Sequence, residues 1–204
     1  MIESAEEIAV IILAAGASKR LGQPKQLLTF RGITLIEHAV KTAFSSGCKK
    51  LFVVTGAAHF SVAKVLANYP LTIIENPDWE EGIASSIRAG VEAAKKNSAI
   101  KGALIMLCDQ PLITPQHLEN LIITFIANGL VTPVCTSYNH EPGVPALFPA
   151  TMFAGLLTLR GDEGAKKVLK ENQSVQTLSF EEAAIDVDTA EDYQTLLKRL
   201  NLGI

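Results

Sequence analysis

Runs of apolar residues alternate along the first half of the chain with segments in which apolar residues recur every three or four positions. The continuous runs predict buried strands at 8–13, 51–55, 71–75 and 102–107. The periodic segments predict helices from 35 to Gly47, at 60–68 and at 84–95. Strand and helix therefore alternate through four units, which predicts an α/β fold with a largely parallel sheet covered by helices on both faces.

The second half of the chain has a less regular pattern. It predicts a helix at 118–127, a strand at 131–135 and a rigid turn at 142–145 before the apolar residues 146–148. Short helices are predicted at 152–157 and 163–170, short strands at 175–178 and 184–187, and a final amphipathic helix after Thr189 that includes Leu200. No repeat or linker interrupts the chain, so we expect one domain over 1–204.

The start of the first helix carries a capping signal. Thr34 stands just before the helical pattern, and Glu37 follows three residues later. In a capping box the hydroxyl of the first residue accepts from the backbone N–H of the second, whose carboxylate accepts from the backbone N–H of the first. We expect this pair to fix where the helix begins.

Composition places the chain among ordinary globular proteins. Of its 204 residues, 48% are hydrophobic and 19% are charged, which is enough for a sizeable core. A formal net charge of -3 and a pI of about 5.8 argue against nucleic acid or an anionic membrane as a partner, since both require a clearly basic face. A local basic site for a phosphorylated small molecule stays open.

The cysteines and the first residues bear on the cellular setting. Cys48, Cys108 and Cys135 are odd in number and far apart, so neither a disulfide framework nor a zinc ribbon is indicated. Residues 1–7 are acidic and lack the positive start of a secretory signal. The apolar stretch that follows is shorter than the roughly 20 residues that span a bilayer. We therefore expect a cytoplasmic protein.

The loop after the first predicted strand carries the strongest chemical signal. Residues 13–25 read Leu-Ala-Ala-Gly-Ala-Ser-Lys-Arg-Leu-Gly-Gln-Pro-Lys. Small residues let backbone N–H groups approach an anion, and Lys19, Arg20 and Lys25 add positive charge at the rim. The stretch matches neither the Walker A pattern nor the dinucleotide fingerprint. From this stretch alone, a phosphate-binding loop and an ordinary strand-to-helix turn with surface cations both remain open.

Carboxylates that follow two apolar runs are candidate ligands for a hard cation. Asp109 follows the fourth predicted strand, at the edge where parallel sheets bind ligands. Asp186 and Asp188 follow a later run, and alternation along an extended segment means that only one of them should face the same crevice. Mg²⁺ usually takes one or two protein carboxylates and completes its shell with water and phosphate oxygens. A turn at Asp109 and a helix cap at Asp188 are the alternatives.

Other polar residues favour structural roles. The four histidines have no metal-ligand spacing, so packed or solvated roles are expected for them. Trp79, in a polar loop, is expected to pack that loop onto the body of the protein. Ser85 and Ser86 stand near a helix start, where they either cap the helix or bind a ribose.

Taken in order, these fragments resemble the nucleotidyltransferases of molybdenum-cofactor maturation, a group within the MobA-like NTP transferase superfamily. The resemblance covers nearly the whole chain and depends on stretches at 13–25, 76–86, 109–111, 143–145, 161–165 and 186–192. It implies a Rossmann-like three-layer α/β/α fold with a mostly parallel central sheet. Within the group, Ala15 and the Gln-Pro-Lys at 23–25 resemble the cytidylyl-transferring branch more than the guanylyl-transferring one.

The resemblance also implies an activity and roles for individual residues. The activity is Mg²⁺-dependent transfer of CMP from CTP to the terminal phosphate of molybdopterin or the molybdenum cofactor, with a molybdoenzyme or its chaperone as a further partner. The implied catalytic residues are Arg20, Lys25 and Asp109, and the implied metal ligands are Asp109 and Asp188. The implied nucleotide-binding residues are Ala14, Ala15, Gly16, Ser18, Arg20, Lys25, Gly82 and Ser86. The implied acceptor-binding residues are Gln110, Gly143, Pro145, Asp162 and Gly164. Val144 departs from the pattern of the group, in which His is common at this position.

Other functions remain open at this point. They are guanylyl transfer to the same cofactor, nucleotidyl transfer to another phosphorylated acceptor such as a sugar phosphate, and non-enzymatic carriage of a nucleotide or cofactor. Paired metal carboxylates argue against a pure carrier, because binding alone does not require them. We also expect Lys25 and Asp109 to lie at exposed loop positions, so that replacing either would leave the fold intact.

Overall fold

The structure is a computed structural model that describes residues 6–172 and 174–202. The first five residues, on which part of the expectation about a secretory signal depended, lie outside the described residues, as does the side chain of Leu200. Among the described helices, none is long and apolar enough to cross a membrane.

One seven-stranded sheet forms the centre of the described residues. Numbered along the chain with a separate two-stranded hairpin, the strands are β1 (Ile8–Ala14), β2 (Thr29–Phe30), β3 (Ile33–Thr34), β4 (Lys50–Thr55), β5 (Thr72–Glu75), β6 (Gly102–Leu107), β7 (Val134–Tyr138), β8 (Glu141–Pro149) and β9 (Gln176–Ser179). The order across the sheet is β5-β4-β1-β6-β8-β7-β9, and β2 pairs with β3. Strands β5, β4, β1 and β6 are parallel, and β8 is antiparallel to both β6 and β7. The predicted mostly parallel sheet is confirmed.

Helices cover both faces of this sheet. They are α1 (Leu35–Ser45), α2 (His59–Leu66), α3 (Ile83–Lys95), α4 (Pro115–Ala127), α5 (Phe153–Thr158), α6 (Ala165–Lys170) and α7 (Ala190–Leu202). Short 3₁₀ turns occur at Lys25–Leu27, Trp79–Glu81, Ala150–Met152 and Glu181–Ala184. The helix predicted from 118 begins three residues earlier, because Thr114 caps it and Pro115 occupies its first position.

The alternation of side chains along β1 explains why its sequence is continuously apolar. All seven residues of β1 are buried. Ile8, Val10 and Ile12 pack in an apolar cluster with α1, α2 and α4, whereas Ala9 and Ile11 pack in a second cluster with α3, α5 and α6. Successive side chains of a strand point to opposite faces, so a strand at the centre of three layers must be apolar throughout. The predicted three-layer α/β/α architecture is confirmed.

The rigid turn predicted at 142–145 is wrong, because these residues belong to strand β8. The β7–β8 register moves from Cys135↔Ala146 to Thr136↔Gly143, so Val144 and Pro145 are the extra residues of a bulge. A bulge tolerates proline because it interrupts the ladder of hydrogen bonds that would need an N–H. The hydroxyl of Thr136 donates to the carbonyl of Pro145 at 2.7 Å and holds the bulge closed.

The strand predicted at 184–187 is also absent from the described structure. A 3₁₀ turn ends at Ala184, and the segment after it makes no ladder with a neighbouring strand. Its apolar residues are buried for another reason: Val187 is fully buried and packs with β2, α1 and α7. A segment that is buried without pairing to another strand has the same apolar pattern as a short strand, and the prediction was wrong for this reason.

The predicted capping box is confirmed. The backbone N–H of Glu37 donates to the hydroxyl of Thr34 at 3.3 Å, and the N–H of Thr34 donates to the Glu37 carboxylate at 3.0 Å. The predicted final helix after Thr189 begins in the same way, since the N–H of Asp192 donates to the Thr189 hydroxyl at 3.2 Å. Both helices therefore begin at side chains that satisfy otherwise unpaired N–H groups.

We expect Thr34→Ala to lower the free energy of unfolding by about 1 kcal/mol, because the N–H of Glu37 then loses its acceptor. Urea unfolding followed by circular dichroism measures the change. Ser45→Ala, at the exposed end of the same helix, is the control and should change stability by less than about 0.5 kcal/mol. Equal effects of the two substitutions would contradict the capping role.

Candidate functional site

A cleft of about 370 Å³ opens where β1 and β6 end. One wall is the loop that leaves β1, and the other is the start of α3 with the 3₁₀ turn before it. Most of the residues predicted to bind nucleotide line this cleft, together with two predicted for other roles: Ala14, Ala15, Gly16, Ser18, Lys25, Gly82, Ser86, Asp109 and Asp162. The structure therefore brings together fragments that are far apart in sequence.

The loop at 14–25 is held in shape from inside by the residues that follow it. The hydroxyl of Ser18 accepts from the backbone N–H of Lys25 at 3.0 Å, which closes the loop. The side-chain amide of Gln26 donates to the carbonyls of Ala14 and Gly16, both at 2.8 Å. Gln26 is fully buried. No role was predicted for it, although a polar residue immediately before two leucines is a weak signal of a buried hydrogen-bonded side chain.

The ammonium group of Lys25 lies between two carboxylates. Nζ hydrogen-bonds to Oδ2 of Asp109 and, at 2.7 Å, to Oδ1 of Asp188. The side chains of Lys25 and Asp109 are only 15% and 12% exposed, so the prediction of exposed loop positions is wrong. Arg20, whose side chain is 72% exposed, pairs with the other oxygen of Asp188 at 2.8 Å. A buried cation thus joins the first loop to two distant segments.

Backbone contacts explain how Asp188 reaches Asp109. The N–H of Val187 donates to the carbonyl of Asp109 at 3.0 Å, which fastens the segment before α7 to the end of β6. Asp188 then faces Lys25, whereas Asp186 makes no ion pair with a described residue. Only Asp188 pairs with the cations, and neither carboxylate is among the residues that line the cleft. That one of them faces the same crevice as Asp109 stays a prediction.

The pKa values of this cluster follow from its geometry. Burial alone lowers the pKa of Lys25, but the negative charge of Asp109 and hydrogen bonds to both carboxylates outweigh burial and raise that pKa. The hydrogen bond from Lys25 lowers the pKa of Asp188, and Arg20 adds to the effect. Partial burial, together with the nearby charges of Asp109 and Asp188, raises the pKa of Asp186. Three carboxylates therefore share one small region.

The carboxylates of Asp109 and Asp188 have the chemistry that a hard cation requires. Oδ1 of Asp109 is buried and has no hydrogen-bond partner among the described residues, so it offers an acceptor to an ion. Within the same residues, no group of three or more His, Cys, Asp or Glu side chains is arranged to hold a metal. Lys25 and Arg20 pair with the remaining oxygens of Asp109 and Asp188. Carboxylate oxygens are the protein ligands that Mg²⁺ prefers, and this ion usually takes only one or two of them.

Asn76 organises the opposite wall of the cleft. Its side-chain amide donates to the hydroxyls of Ser85 and Ser86 at 2.8 and 3.0 Å. The Ser85 hydroxyl donates in turn to the carbonyl of Gly82 at 2.8 Å. Sequence reasoning gave Asn76 no role of its own, because its partners are fixed only by the fold. Ser86 lines the cleft with one acceptor position already used by Asn76.

Two glycines allow the walls to meet. A Cβ on Gly82, whose φ is +121°, would overlap the carbonyl of Gly161 and lie 2.7 Å from Oδ1 of Asp162. A Cβ on Gly56 would lie 2.6 Å from both the carbonyl oxygen of Ala15 and Cβ of Trp79. Trp79 therefore packs its loop against the body of the protein, as predicted, while its exposed part lines the cleft.

The residues predicted for the acceptor are distributed over several environments. Gly143 and Gly164 line a small pocket of about 90 Å³ next to the cleft, which also includes Tyr138, Val144 and Lys166. Asp162 lies in the main cleft instead.

Gln110 and Pro145 line neither cavity as the described residues define them. The amide of Gln110 donates to the carbonyls of Val144 and Ala183 at 3.2 and 2.7 Å, so it ties β8 to the segment before Asp186. The carbonyl of Pro145 accepts from Thr136. Both residues therefore hold the strand segment that includes Val144, which lines the small pocket.

Comparison with known proteins identifies the family of this chain. The MobA-like NTP transferase domain matches residues 10–177, which include the first loop, Asn76, Asp109 and the small pocket. The chain belongs to the MobA-like NTP transferase family.

Relatives within this family carry different names. Nicotine blue oxidoreductase of Paenarthrobacter nicotinovorans is 34% identical over 92% of this chain and 95% of its own length. Molybdenum cofactor cytidylyltransferase of Escherichia coli is 27% identical over 93% of this chain and 95% of its own length. Membership of the family therefore leaves the substrate open.

A protein of similar structure has been crystallised with a bound metal ion. The crystal structure of Rv0371c from Mycobacterium tuberculosis in complex with manganese has a TM-score of 0.74 and 28% identity, and the match covers 95% of this chain and 98% of that one. A divalent ion therefore binds to a protein with this architecture.

We expect Asp188→Asn to lower stability near neutral pH by on the order of 1 kcal/mol, a modest value because Asp188 is one-third exposed. The pKa of Asp188 lies below its ordinary value of 3.8 in the folded chain, so its ionised form favours folding above that value. As pH falls through the folded-state pKa, Asp188 becomes protonated and the difference from the variant should disappear. Urea unfolding at neutral pH and at about pH 2 measures this.

The control for this prediction is Asp78→Asn. Asp78 is exposed and makes no ion pair within the described residues, and its substitution changes the net charge equally. A loss of stability in Asp188→Asn that persisted unchanged at low pH, or that Asp78→Asn reproduced, would contradict the assignment.

Proposed function

We propose that this protein transfers CMP from CTP to the terminal phosphate of molybdopterin or the molybdenum cofactor and releases pyrophosphate. The observation that carries the proposal is the cleft lined by a loop of small residues together with Lys25 and Asp109. Lys25 also pairs with Asp188, which in turn pairs with Arg20, so a second carboxylate and a second cation are connected to this site. The similarity to molybdenum cofactor cytidylyltransferase along nearly the full chain supports the choice of substrates. The Ala15 and Gln-Pro-Lys features of the first loop support cytosine over guanine.

In this proposal the first loop holds the triphosphate. Ala15, Gly16 and Ala17 have side chains too small to block an approaching phosphate, and Lys25 and Arg20 supply positive charge at one end of the loop. Asp109 and Asp188 would hold Mg²⁺, which neutralises charge on phosphate oxygens when it is bound. Ser86 and Gly82, on the opposite wall, would contact the base and ribose.

The chemistry requires positioning more than proton transfer. A phosphate monoester has a second pKa near ~6, so the terminal phosphate of the acceptor is largely ionised at neutral pH and needs no general base. One of its oxygens attacks the α-phosphorus of CTP in line, a new P–O bond forms, and the bond to the β-phosphate oxygen breaks. The cations of the cleft stabilise the charge that spreads over the phosphate oxygens. This accounts for a site built from Lys, Arg and Asp rather than a Ser–His pair.

The small pocket beside the cleft would receive part of the acceptor. Its walls are mostly apolar, and Tyr138 and Lys166 are the lining residues that carry polar side-chain groups. The ammonium group of Lys166 is paired with Glu141 at the surface. Apolar walls with few polar groups suit a flat ring system, and a lysine nearby suits a phosphate. Gly143 keeps this pocket open, because a Cβ there would overlap the ring of Tyr138.

A second candidate function follows from the relative named nicotine blue oxidoreductase, which has the higher identity of the two relatives described above. In that case the phosphate loop would hold the phosphates of a nucleotide reductant, and electrons would pass to an aromatic substrate. Guanylyl transfer and transfer to another phosphorylated acceptor remain the nearer alternatives, because they use the same cations and carboxylates.

One assay distinguishes these functions. Pyrophosphate release is measured with Mg²⁺ and molybdopterin in the presence of CTP, GTP, ATP or UTP, and oxidation of NADH and NADPH by a quinoid dye is measured in parallel. Release with CTP alone supports the proposal, and release with GTP alone supports guanylyl transfer. CTP binding without release indicates a different acceptor. Oxidation of a reduced nucleotide without any release supports the oxidoreductase.

We expect Lys25→Met and Asp109→Asn each to lower kcat/KM for CTP by about 10²–10³-fold, because each removes a charge from the cluster that would hold the phosphates and their metal. Lys64→Met, which removes an exposed cation on α2, is the matched control and should retain full activity. Near-normal turnover in either site variant would contradict its role.

These variants require a check of folding. Lys25 and Asp109 are buried and paired, so removing one leaves the other without its partner. Near-UV circular dichroism and the melting temperature of each variant separate a loss of activity from a loss of structure.

A further inference from the structure

We propose that Gln26 is a positioning residue for the phosphate loop: its side-chain amide sets the orientation of two peptide units, so that the N–H groups of Ala15 and Ala17 face a bound phosphate chain. This inference depends on the proposed function only in that the ligand carries a phosphate chain. The side chain of Gln26 contacts the backbone of the loop rather than the reacting atoms, so its effect on the ligand is indirect.

The contacts of Gln26 use both of its amide hydrogens. Nε2 donates to the carbonyl of Ala14 and to the carbonyl of Gly16, each at 2.8 Å. The residue is fully buried, and its Oε1 has no partner among the described residues. Burying an amide whose oxygen has no hydrogen-bond partner costs free energy. The two hydrogen bonds that Gln26 donates compensate for this cost, which points to a role for them in the fold or in ligand binding.

The two hydrogen bonds of Gln26 also determine the direction of the N–H groups that follow the bonded carbonyls. In a trans peptide the C=O of one residue and the N–H of the next point in opposite directions across the rigid plane. Because the carbonyls of Ala14 and Gly16 point to Gln26, the N–H groups of Ala15 and Ala17 must point away from it. Both of these residues line the cleft.

The N–H groups of this loop are not otherwise used. In the part of the chain that the structure describes, no hydrogen bond joins the N–H of Ala15, Gly16 or Ala17 to a protein acceptor. Ser18, the next residue, has a φ of +52°, a conformation that occurs in the backbone turns where successive N–H groups converge on an anion. Unused donors beside two cations form a cradle for phosphate oxygens.

The loop has no side chain of its own that sets these orientations. Alanine and glycine at 14–17 offer no hydrogen-bonding side-chain group. Strand β1 ends at Ala14 and the carbonyl of Ala15 accepts from the N–H of Ala57, so the sheet orients the start of the loop, whereas the carbonyl of Gly16 lies beyond the strand. Gln26 supplies a partner for this carbonyl from the 3₁₀ turn that also carries Lys25. Two neighbouring residues of one turn therefore serve the cradle in different ways. Lys25 supplies positive charge, and Gln26 orients the N–H groups that donate to phosphate.

The test uses Gln26→Met, which keeps the approximate shape and removes both donors, and Gln26→Glu, whose carboxylate also has no N–H to give. The probe is pyrophosphate without metal, with binding measured by calorimetry and by the backbone amide resonances of the ¹⁵N-labelled chain. In the unaltered chain we expect the amide protons of Ala15 and Ala17 to move on addition of pyrophosphate. In both variants we expect affinity to fall by about tenfold or more and these two shifts to be lost.

Ser46→Ala is the control. Ser46 is buried, its hydroxyl donates to the carbonyl of Ala43 at 2.8 Å, and it lines neither the cleft nor the small pocket. We expect it to lower the melting temperature through the loss of this buried hydrogen bond while leaving pyrophosphate affinity within about twofold. A loss of affinity shared by both variants would reduce Gln26 to a structural role.

The proposal is overturned if Gln26→Met binds pyrophosphate as the unaltered chain does, or if the resonances of Ala15 and Ala17 do not respond in the unaltered chain. Because the probe measures anion binding rather than turnover, this inference and the proposed function fail separately. If Gln26→Met weakens pyrophosphate binding but the unaltered chain transfers no nucleotide, the role of Gln26 stands and only the proposed reaction is wrong.

Discussion

The ammonium group of Lys25 joins the first loop to two other segments of the chain, whose carboxylates would otherwise repel one another. Asp109 and Asp188 lie 84 and 163 residues from Lys25 in sequence, and Asp186 stands close enough to have its own pKa raised by both of them. Three carboxylates in one small region are tolerable only with a cation among them. The end of β6, the first loop and the segment before α7 are therefore held together by this side chain and by the backbone hydrogen bond from Val187 to Asp109. The cleft opens beside this junction.

The sheet supplies the rigid frame on which this contact depends. β1 and β6 are neighbouring parallel strands in the middle of three layers, so the first loop and Asp109 leave the same edge side by side. The antiparallel strand β8 then carries Gly143 and Val144 next to that edge, and its bulge turns them toward the small pocket. The mixed sheet thus gives the nucleotide side and the acceptor side of the proposed site a common base.

Much of this arrangement could be predicted from the sequence, because several of its causes are local. Strand β1 is identified by its continuous apolar run, and α1 by the Thr34–Glu37 box, since both signals involve neighbouring residues. The burial of Lys25 could not be predicted, because its partners are distant in sequence. Gln26 and Asn76 were missed for the same reason: a buried amide is recognisable only when its acceptors are in place. Pro145 in β8 escaped prediction because only a bulge makes proline acceptable there.

The close contact between Gly82 and Gly161 has a consequence for how such a protein diverges. No side chain fits at Gly82, so the wall that would contact the nucleotide and the 161–162 corner form one unit that cannot accept substitutions independently. Val144 and Lys166, on the rim of the small pocket, are free of this contact. Substitutions there can change the shape of that pocket while the wall formed by Gly82 and Gly161 stays as it is.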